Sequence, residues 1–275
     1  MPAEFNTFIF VPAYNVEKTL AGVLDKIPQS VWRKSKILVI DDGSQDGTRK
    51  QFDKYVEGFR EGPAEKSQEG TVEKSRNGSA PRLEYFRFEK NSGYGAVVKK
   101  GLSEGLSSGA KFIVCLHGDG QYPADLLDQF LDHLENFRTV DGHGNESALA
   151  LLQGSRHAVT GGAKAGNMPL HKRIGGAFLT ALENLVFRQK LTDRHSGFIL
   201  YSADFLRTVE LSRLSPSFDI DLELISIADA RGFAIGELPI PTVYAEEKSN
   251  LNVVTYGLRC LRQIARRFCF TLKVK

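Results

Sequence analysis

The chain has 275 residues, of which 41% are hydrophobic and 25% are charged. This composition is typical of a globular protein with a hydrophobic core, and it argues against a disordered chain, a collagen or a repeat fibre. The formal net charge of +3 at pH 7 is too small to indicate nucleic-acid binding. Three cysteines, Cys115, Cys260 and Cys269, each lie in an apolar run and cannot all pair. We expect buried free thiols in a reducing compartment, which favours a cytoplasmic location.

Membrane-crossing segments are not expected. The sequence contains no run of 18 apolar residues, and residues 1–10 lack the basic segment and apolar stretch of a signal peptide. The sequence therefore predicts neither a transmembrane helix nor a signal peptide.

Short apolar runs alternate with helical patterns along the chain. The runs at 7–11 and 36–40 are rich in Ile, Val and Phe and end in turn residues, which is typical of buried parallel strands. Further strands are predicted at 83–88, 111–116, 149–153 and 197–201 and ending near 244, with helices at 17–27, after 95, and at about 123–134, 170–189 and 219–230. The alternation predicts an α/β fold whose parallel sheet is covered by helices on both faces. The polar stretches 60–82 and 136–147 are predicted to be surface loops of a single domain spanning 1–247.

Four polar clusters follow the predicted strands where each one ends: Pro-Ala-Tyr-Asn at 12–15, Asp-Asp-Gly-Ser at 41–44, Asn-Ser-Gly-Tyr-Gly at 91–95 and His-Gly-Asp-Gly-Gln at 117–121. Ligands of open parallel sheets bind outside the carboxyl ends of the strands. Four such clusters at one rim therefore predict a ligand site.

Two of these clusters carry groups that suit ligands. Asp41 and Asp42 offer carboxylates to a nucleobase or a ribose, although the same residues are common in turns that begin helices. His117, Asp119 and Gln121 alternate along a segment taken as extended, so their side chains could hold a divalent metal. The alternative is a glycine-rich turn with a solvated aspartate and a hydrogen-bonded histidine.

Seven segments together resemble the family 2 glycosyltransferases, and among these the polyprenyl-phosphate sugar transferases. They are VPAYN at 11–15, VIDDGSQDGT at 39–48, NSGYGAVVKKG at 91–101, LHGDGQY at 116–122, QGSRH at 153–157, DRHSGF at 193–198 and FDIDLEL at 218–224. The resemblance covers about residues 7–258. It implies a GT-A fold, with a mostly parallel Rossmann-like sheet, and inverting transfer of a sugar from a nucleoside-diphosphate sugar.

The resemblance also implies roles for particular residues. The nucleotide-sugar site would comprise Pro12, Ala13, Tyr14, Ile40, Asp41, Asp42, Gly118, Asp119 and Arg156. Asp119 would be the second carboxylate of the DxD motif and bind the metal that bridges the diphosphate, and Arg156 would meet the donor phosphates. A divalent ion and a guanidinium both stabilise the charge that develops on a leaving diphosphate.

Two positions depart from the family pattern. The usual Glu after Tyr-Asn is Val16 here, with Glu17 one place later, which puts a carboxylate contact to the base in doubt. The first Asp of DxD is His117. Imidazole suits Mn²⁺ better than Mg²⁺, so the sequence predicts a preference for manganese at a site formed by His117, Asp119 and Gln121.

The acceptor decides whether a catalytic base is needed. A lipid phosphate is already an anion and needs none, whereas a carbohydrate or protein hydroxyl does. Asp193 is the first candidate base, and His195, Asp219, Asp221 and Glu223 are others. The alternative for the last three is a solvated first turn of a helix. A polyprenyl phosphate is the favoured acceptor, and a non-catalytic nucleotide-sugar-binding homologue is the alternative from a different class.

The C-terminal segment 248–275 is predicted to be a basic amphipathic helix. It holds seven basic residues and no acid, which leaves residues 1–247 with a net charge of −4. An apolar stripe of Val254, Leu258, Leu261, Ala265, Phe268 and Leu272 is flanked by Arg259, Arg262, Arg266 and Lys273. Residues 253–275 could therefore make peripheral contact with an anionic membrane, or the stripe could pack on protein.

Overall fold

The computed structural model describes residues 5–60, 82–140, 146–158, 179–186, 191–241, 255 and 257–265. In this part of the chain the strands are β1 (Thr7–Ala13), β2 (Ser35–Asp41), β3 (Leu83–Arg87), β4 (Phe112–Cys115), β5 (Arg138–Val140), β6 (Glu146–Ser155), β7 (Ile199–Ser202) and β8 (Ala234–Pro239). The helices are α1 (Leu20–Asp25), α2 (Gln29–Arg33), α3 (Thr48–Arg60), α4 (Tyr94–Ser107), α5 (Leu127–Asn136), α6 (Ala203–Arg207) and α7 (Ile220–Ala230). Residues 179–186 and 257–265 are also helical.

The strands form one sheet in the order β3-β2-β1-β4-β7-β6-β5, with β8 also pairing with β6. Strands β3, β2, β1 and β4 are parallel to one another, and β8 is parallel to β6. Strand β7 runs antiparallel to both β4 and β6. The predicted α/β class with a mostly parallel sheet is confirmed, and β7 adds an antiparallel element that the sequence pattern did not predict.

The core lies on both faces of the sheet because successive side chains of a strand point to opposite faces. Ile9 and Val11 of β1 pack in one apolar cluster with residues of α1 and α5. Phe8 and Phe10 pack in a second cluster with residues of α4, α6 and α7. Strands buried on both faces read as continuous apolar runs, which is why the sequence located β1, β2 and β4.

Strand β1 lies between β2 and β4, although β2 follows it in the chain and β4 comes much later. The strand order therefore reverses at β1, and the crevice outside the carboxyl ends of β1 and β4 is where open α/β sheets bind ligands. Pro12 and His117 lie at these two ends.

The prediction of a loop at 136–147 is partly wrong. Residues Arg138–Val140 form β5, which pairs with the start of β6. The 136–147 stretch lacks a regular apolar pattern because β5 lies at the edge of the sheet. Most of the predicted loop at 60–82, the predicted strand end near 244 and the start of the helix predicted from 170 lie outside the described residues. Among the described helices, none combines the length and the apolar character needed to span a bilayer.

Candidate functional site

The loops after β1 and β2 hold each other in place. The Asn15 N–H donates to Ser44 Oγ at 2.9 Å, and the Val16 N–H donates to Thr48 Oγ1 at 2.8 Å. In return, Glu17 Oε2 accepts the Gly47 N–H at 2.7 Å. The Glu17 carboxylate therefore links the two loops. Together these contacts fix the backbone around Pro12, Ala13 and Tyr14.

The two aspartates after β2 support loops. Asp41 Oδ1 accepts the Ser44 N–H at 2.8 Å, and its Oδ2 accepts the Tyr85 hydroxyl at 2.5 Å. Asp42 accepts the backbone N–H groups of Ser92 at 2.6 Å and Gly93 at 3.0 Å, just before α4. Burial raises the pKa of Asp42 against the effect of these two hydrogen bonds.

Side-chain exposure differs among the residues of the predicted nucleotide-sugar site. Ile40 and Asp41 have no exposed surface, and the Ile40 side chain lies in the core cluster that contains Phe8 and Phe10. Side chains buried this deeply lie beneath the crevice and do not line it. Pro12 and Tyr14 are half-buried, whereas the Ala13 and Asp42 side chains keep only a small exposed fraction.

The segment after β4 is a turn. The Gly118 N–H donates to Pro12 O at 2.9 Å, and a Cβ at Gly118 would lie 3.0 Å from the same oxygen. Asp119 Oδ1 accepts the Gln121 N–H at 3.0 Å, and Gly120 has a φ of +77°. The extended segment assumed from the sequence is therefore wrong. The turn keeps Asp119 close enough to His117 for the Asp119 charge to oppose the effect of burial, which lowers the pKa of the imidazole.

His117 is enclosed by aromatic rings and backbone. Its Nε2 lies 3.2 Å from the Tyr94 hydroxyl, and its ring meets the Tyr122 ring edge-on at 5.0 Å. A Cβ at Gly197 would lie 2.7 Å from His117 Nε2, so only glycine fits there. Burial lowers the pKa of His117, with the Asp119 charge acting in the opposite direction. The imidazole is therefore neutral at pH 7, the form that binds metals.

A buried hydrogen-bond network continues from Tyr94. The Tyr94 hydroxyl donates to Asp221 Oδ2 at 2.9 Å, and the Tyr201 hydroxyl donates to Asp221 Oδ1 at 3.4 Å. Burial raises the pKa of Asp221 to about 7, against the effect of both tyrosines. The Tyr94 oxygen lies where it can accept a proton from His117 Nε2. In the tautomer that carries this proton on Nε2, Nδ1 has the lone pair that a metal needs.

The sequence did not predict this network: it offered Asp219, Asp221 and Glu223 as candidate bases, with a solvated first helical turn as the alternative. All three side chains are buried. Glu223 Oε2 accepts the Ser215 N–H at 2.7 Å, and Asp219 Oδ1 accepts the Ser215 hydroxyl at 2.7 Å. The only sign of this burial in the sequence is that the three carboxylates alternate with the apolar residues Ile220, Leu222 and Leu224.

Arg156 and Asp193 form a buried ion pair between the end of β6 and the loop before β7. Asp193 accepts Arg156 Nε at 2.7 Å, Arg156 Nη2 at 3.0 Å, and the backbone N–H groups of Arg156 and His195, each at 3.1 Å. Burial would raise the pKa of Asp193, but the charge and hydrogen bonds of Arg156 outweigh it and lower the pKa to about 2. A carboxylate with this pKa is a poor proton acceptor. These contacts argue against Asp193 as a catalytic base and favour a positioning role.

The donor set can accommodate a divalent ion. Asp119 Oδ2 accepts no hydrogen bond from the described residues, and the neutral His117 offers Nδ1. A carboxylate oxygen and an imidazole nitrogen beside a basic side chain suit a metal that carries a diphosphate. No observation assigns the Gln121 amide to the ion, so that ligand stays a prediction.

The family model for glycosyl transferase family 2 matches residues 8–209. The chain therefore belongs to glycosyl transferase family 2 and is an enzyme of that family.

Relatives and solved structures agree with this assignment. The chain is 27% identical over 239 residues to a UDP-N-acetylglucosamine--dolichyl-phosphate N-acetylglucosaminyltransferase of Methanococcus voltae, which covers 87% of this chain and 86% of the relative. It is 22% identical to a polyprenol monophosphomannose synthase of Mycolicibacterium smegmatis, over 85% of this chain and 76% of the relative. A dolichyl-phosphate beta-glucosyltransferase of Trichomonas vaginalis is 25% identical, and the match covers 87% of this chain and 64% of that relative.

Among solved structures, glucosyl-3-phosphoglycerate synthase from Mycobacterium tuberculosis is similar in fold. Its complex with Mn²⁺, UDP and glucosyl-3-phosphoglycerate has a TM-score of 0.60 at 15% identity and covers 96% of this chain and 80% of its own. The complex with Mg²⁺ and UDP has a TM-score of 0.61 at 15% identity, over 96% of this chain and 79% of its own. These likenesses confirm the GT-A fold.

Replacing Asp193 by Asn tests the buried ion pair. Because the folded-state pKa of about 2 lies below the usual 3.8, the ionised carboxylate stabilises the protein above about pH 4. We expect Asp193→Asn to lower the free energy of unfolding by about 2 kcal/mol at neutral pH, and the deficit to shrink as the pH falls from about 4 to about 2. Urea titrations at about pH 7 and pH 3 measure it.

The matched control is Asp53→Asn. Asp53 is exposed and pairs with Arg49 at 2.9 Å within α3, and its loss should change the free energy of unfolding by less than about 0.5 kcal/mol. An Asp193→Asn deficit that is the same at both pH values would contradict the role given to the ion pair.

Proposed function

We propose that the chain transfers a sugar from a nucleoside-diphosphate sugar to a polyprenyl phosphate, with a divalent metal and with inversion at the sugar. The relatives named above act on dolichyl phosphate or make polyprenol monophosphomannose, and a UDP complex exists for the structural neighbour. The observation that carries the choice of acceptor is the state of Asp193. Both oxygens of the carboxylate favoured as a base are engaged by Arg156 and by backbone N–H groups, and a phosphate acceptor needs no base.

The metal would be held by Asp119 and His117 and would bind the donor diphosphate. When bound, such an ion neutralises charge on the leaving diphosphate. The chain's own residues prepare this site. Tyr94 and Asp221 orient the imidazole, and the turn closed by Asp119 Oδ1 and the Gln121 N–H fixes the carboxylate.

Arg156 would add positive charge on the side of the rim formed by β6 and β7. The Asp193 carboxylate accepts hydrogen bonds from Arg156 Nε and Nη2, and His195 O accepts a further hydrogen bond from Arg156 Nη2 at 2.9 Å. These contacts fix the guanidinium plane, so a phosphate would meet a cation that has already lost its side-chain freedom. Preorganised charge of this kind stabilises a leaving group without reorganisation during the reaction.

The C-terminal helix would bring the enzyme to its lipid acceptor. Its described residues pack on α7 through Cys260 and Ile264, which contact Leu222. Leu258 and Leu261, members of the predicted apolar stripe, are instead 64% and 43% exposed. Leu185 on the neighbouring helix 179–186 is also exposed, at 77%. Exposed leucines on two packed helices, with basic residues beside them, suit an anionic membrane surface.

Sugar transfer to a lipid phosphate is the direct test of the proposal. We expect the full chain with Mn²⁺ to transfer labelled sugar from a UDP-, GDP- or dTDP-sugar to a polyprenyl phosphate. Lipid extraction then measures the label that has moved to the lipid. Asp119→Ala should reduce the rate by about 100-fold or more because the ion loses its carboxylate. Asp125→Ala, an exposed aspartate in the turn before α5, should leave the rate unchanged. Transfer to a carbohydrate or protein hydroxyl and not to lipid would replace the proposed acceptor, and nucleotide binding without any turnover would favour the non-catalytic alternative.

The metal preference follows from His117. We expect higher transfer rates in Mn²⁺ than in Mg²⁺, because the imidazole is a poorer ligand for magnesium. His117→Asp, which restores the carboxylate of the family pattern, should raise the Mg²⁺-to-Mn²⁺ rate ratio by about tenfold. Transfer rates measured at increasing concentrations of each ion give the metal preference. Equal or better activity of the unaltered chain in magnesium would rule out the idea.

Membrane contact is tested by sedimentation with anionic liposomes. We expect binding that weakens with salt and is lost in the double variant Leu258→Glu and Leu261→Glu, because two charges would enter the apolar interface. Phe137→Glu is the matched control, since this exposed phenylalanine follows α5 on the opposite face of the sheet. Failure of the unaltered chain to sediment with liposomes would remove the membrane contact and leave the transfer reaction standing.

A further inference from the structure

A buried cluster of three different metal-ligand types lies between two helices and the loop before β7. It consists of Glu183 in helix 179–186, His195 in the loop, and Cys260 in helix 257–265. One ligand atom from each residue lies within 4.8 Å of the other two. Glu183 and Cys260 have no exposed surface, and the His195 side chain is 10% exposed. None of these side chains has a part in the sugar transfer proposed above.

The spacing of His195 and Glu183 suits a shared ion better than a direct bond. His195 Nε2 lies 3.5 Å from Glu183 Oε2. An N–H···O hydrogen bond is shorter, at about 2.7–3.2 Å. Two ligands bonded at about 2.0–2.2 Å to one tetrahedral zinc ion lie roughly 3.4 Å apart.

The Glu183 carboxylate lacks the partners that a buried carboxylate requires. Neither of its oxygens has a hydrogen-bond partner among the described residues. A buried charge is stable when it is paired or bound to a metal. The Glu183 oxygens therefore point to a cation that bonds to them directly.

We propose that Glu183, His195 and Cys260 form a zinc site that joins the C-terminal helix to the loop before β7. Thiolate, imidazole and carboxylate are all zinc ligands, whereas a soft thiolate does not suit Mg²⁺ or Mn²⁺. Three protein ligands leave a fourth tetrahedral position for water. The site is distinct from the site at Asp119 in ligand type and in the elements that supply it, so the chain would use two different metals.

The location gives the zinc a structural role. Helices 179–186 and 257–265 pack together through Leu179, Leu182 and Val186 against Cys260 and Ile264. This apolar cluster is small compared with the two clusters that flank the sheet. Zinc would add three bonds between segments that are distant in sequence. It would also hold the loop that carries Asp193 and Gly197, which contact Arg156 and His117.

The experiment measures the metal directly on the full chain. We expect the protein, purified without chelators, to contain about one zinc per chain by elemental analysis. Replacement of zinc by Co²⁺ should produce the near-ultraviolet thiolate-to-cobalt charge-transfer band. Cys260→Ser should abolish this band and lower zinc affinity by about tenfold or more. Cys115→Ser, which removes another buried cysteine, should retain both zinc and the band.

Two further measurements separate this site from the donor site and from misfolding. Asp119→Ala should keep its zinc while it loses transfer activity, so the two metal sites fail independently. Far-ultraviolet circular dichroism checks that Cys260→Ser is folded, and Glu183→Gln provides a second ligand deletion of the same shape. Absence of zinc and of the cobalt band from the unaltered, folded chain, even after zinc or cobalt is added, overturns the proposal. A band that survives in Cys260→Ser overturns it as well.

Discussion

The Asp193 carboxylate holds together the half of the rim that lies beyond β4. It receives four hydrogen bonds from Arg156 and from the backbone of His195, and charge-assisted bonds of this kind are the strong ones. Because β7 is antiparallel to β4, the loop before β7 arrives at the carboxyl end of β4. Gly197 in that loop lies against His117, where a Cβ would be only 2.7 Å from Nε2. The position of the turn at 117–121 relative to Arg156 therefore depends on this ion pair.

A second set of contacts sets the orientation of His117 from the opposite side. Asp42 binds the backbone before α4 and so fixes the start of the helix that carries Tyr94. Tyr94 lies between His117 Nε2 and Asp221, which is 127 positions away from Tyr94 in the sequence. The imidazole is thus oriented by residues of α4 and α7. A carboxylate in place of His117 would not need this support, because either of its oxygens can bind the ion.

The sequence predicted the strands flanking the crevice because each is an apolar run that ends in turn residues, and the strand-end rule then placed the site. It could not separate Asp41, which is fully buried, from its neighbour Asp42, because both follow the same strand. It also left open whether the apolar stripe of the C-terminal helix packs on protein, and Leu258 and Leu261 of that stripe are exposed. The buried face contains Cys260 and Gln263, and Gln263 donates to Asp219 at 3.3 Å. Long-range pairs between polar side chains leave no periodic pattern, so a hydrophobic stripe alone cannot reveal them.

The helix α7 connects the proposed membrane surface with the active site. Asp219, at its start, accepts Arg259 at 3.3 Å from the C-terminal helix, so one of the basic residues serves to dock this helix. Two residues later, Asp221 binds Tyr94. If Leu258 and Leu261 face the lipid, the first turn of α7 contacts both the helix that carries them and, through Tyr94, the His117 side chain. The carboxyl-end rim would then keep a constant orientation to the surface where a lipid phosphate is found, because one rigid turn carries both contacts. The near-neutral total charge of the chain conceals this division between an acidic catalytic body and a basic tail.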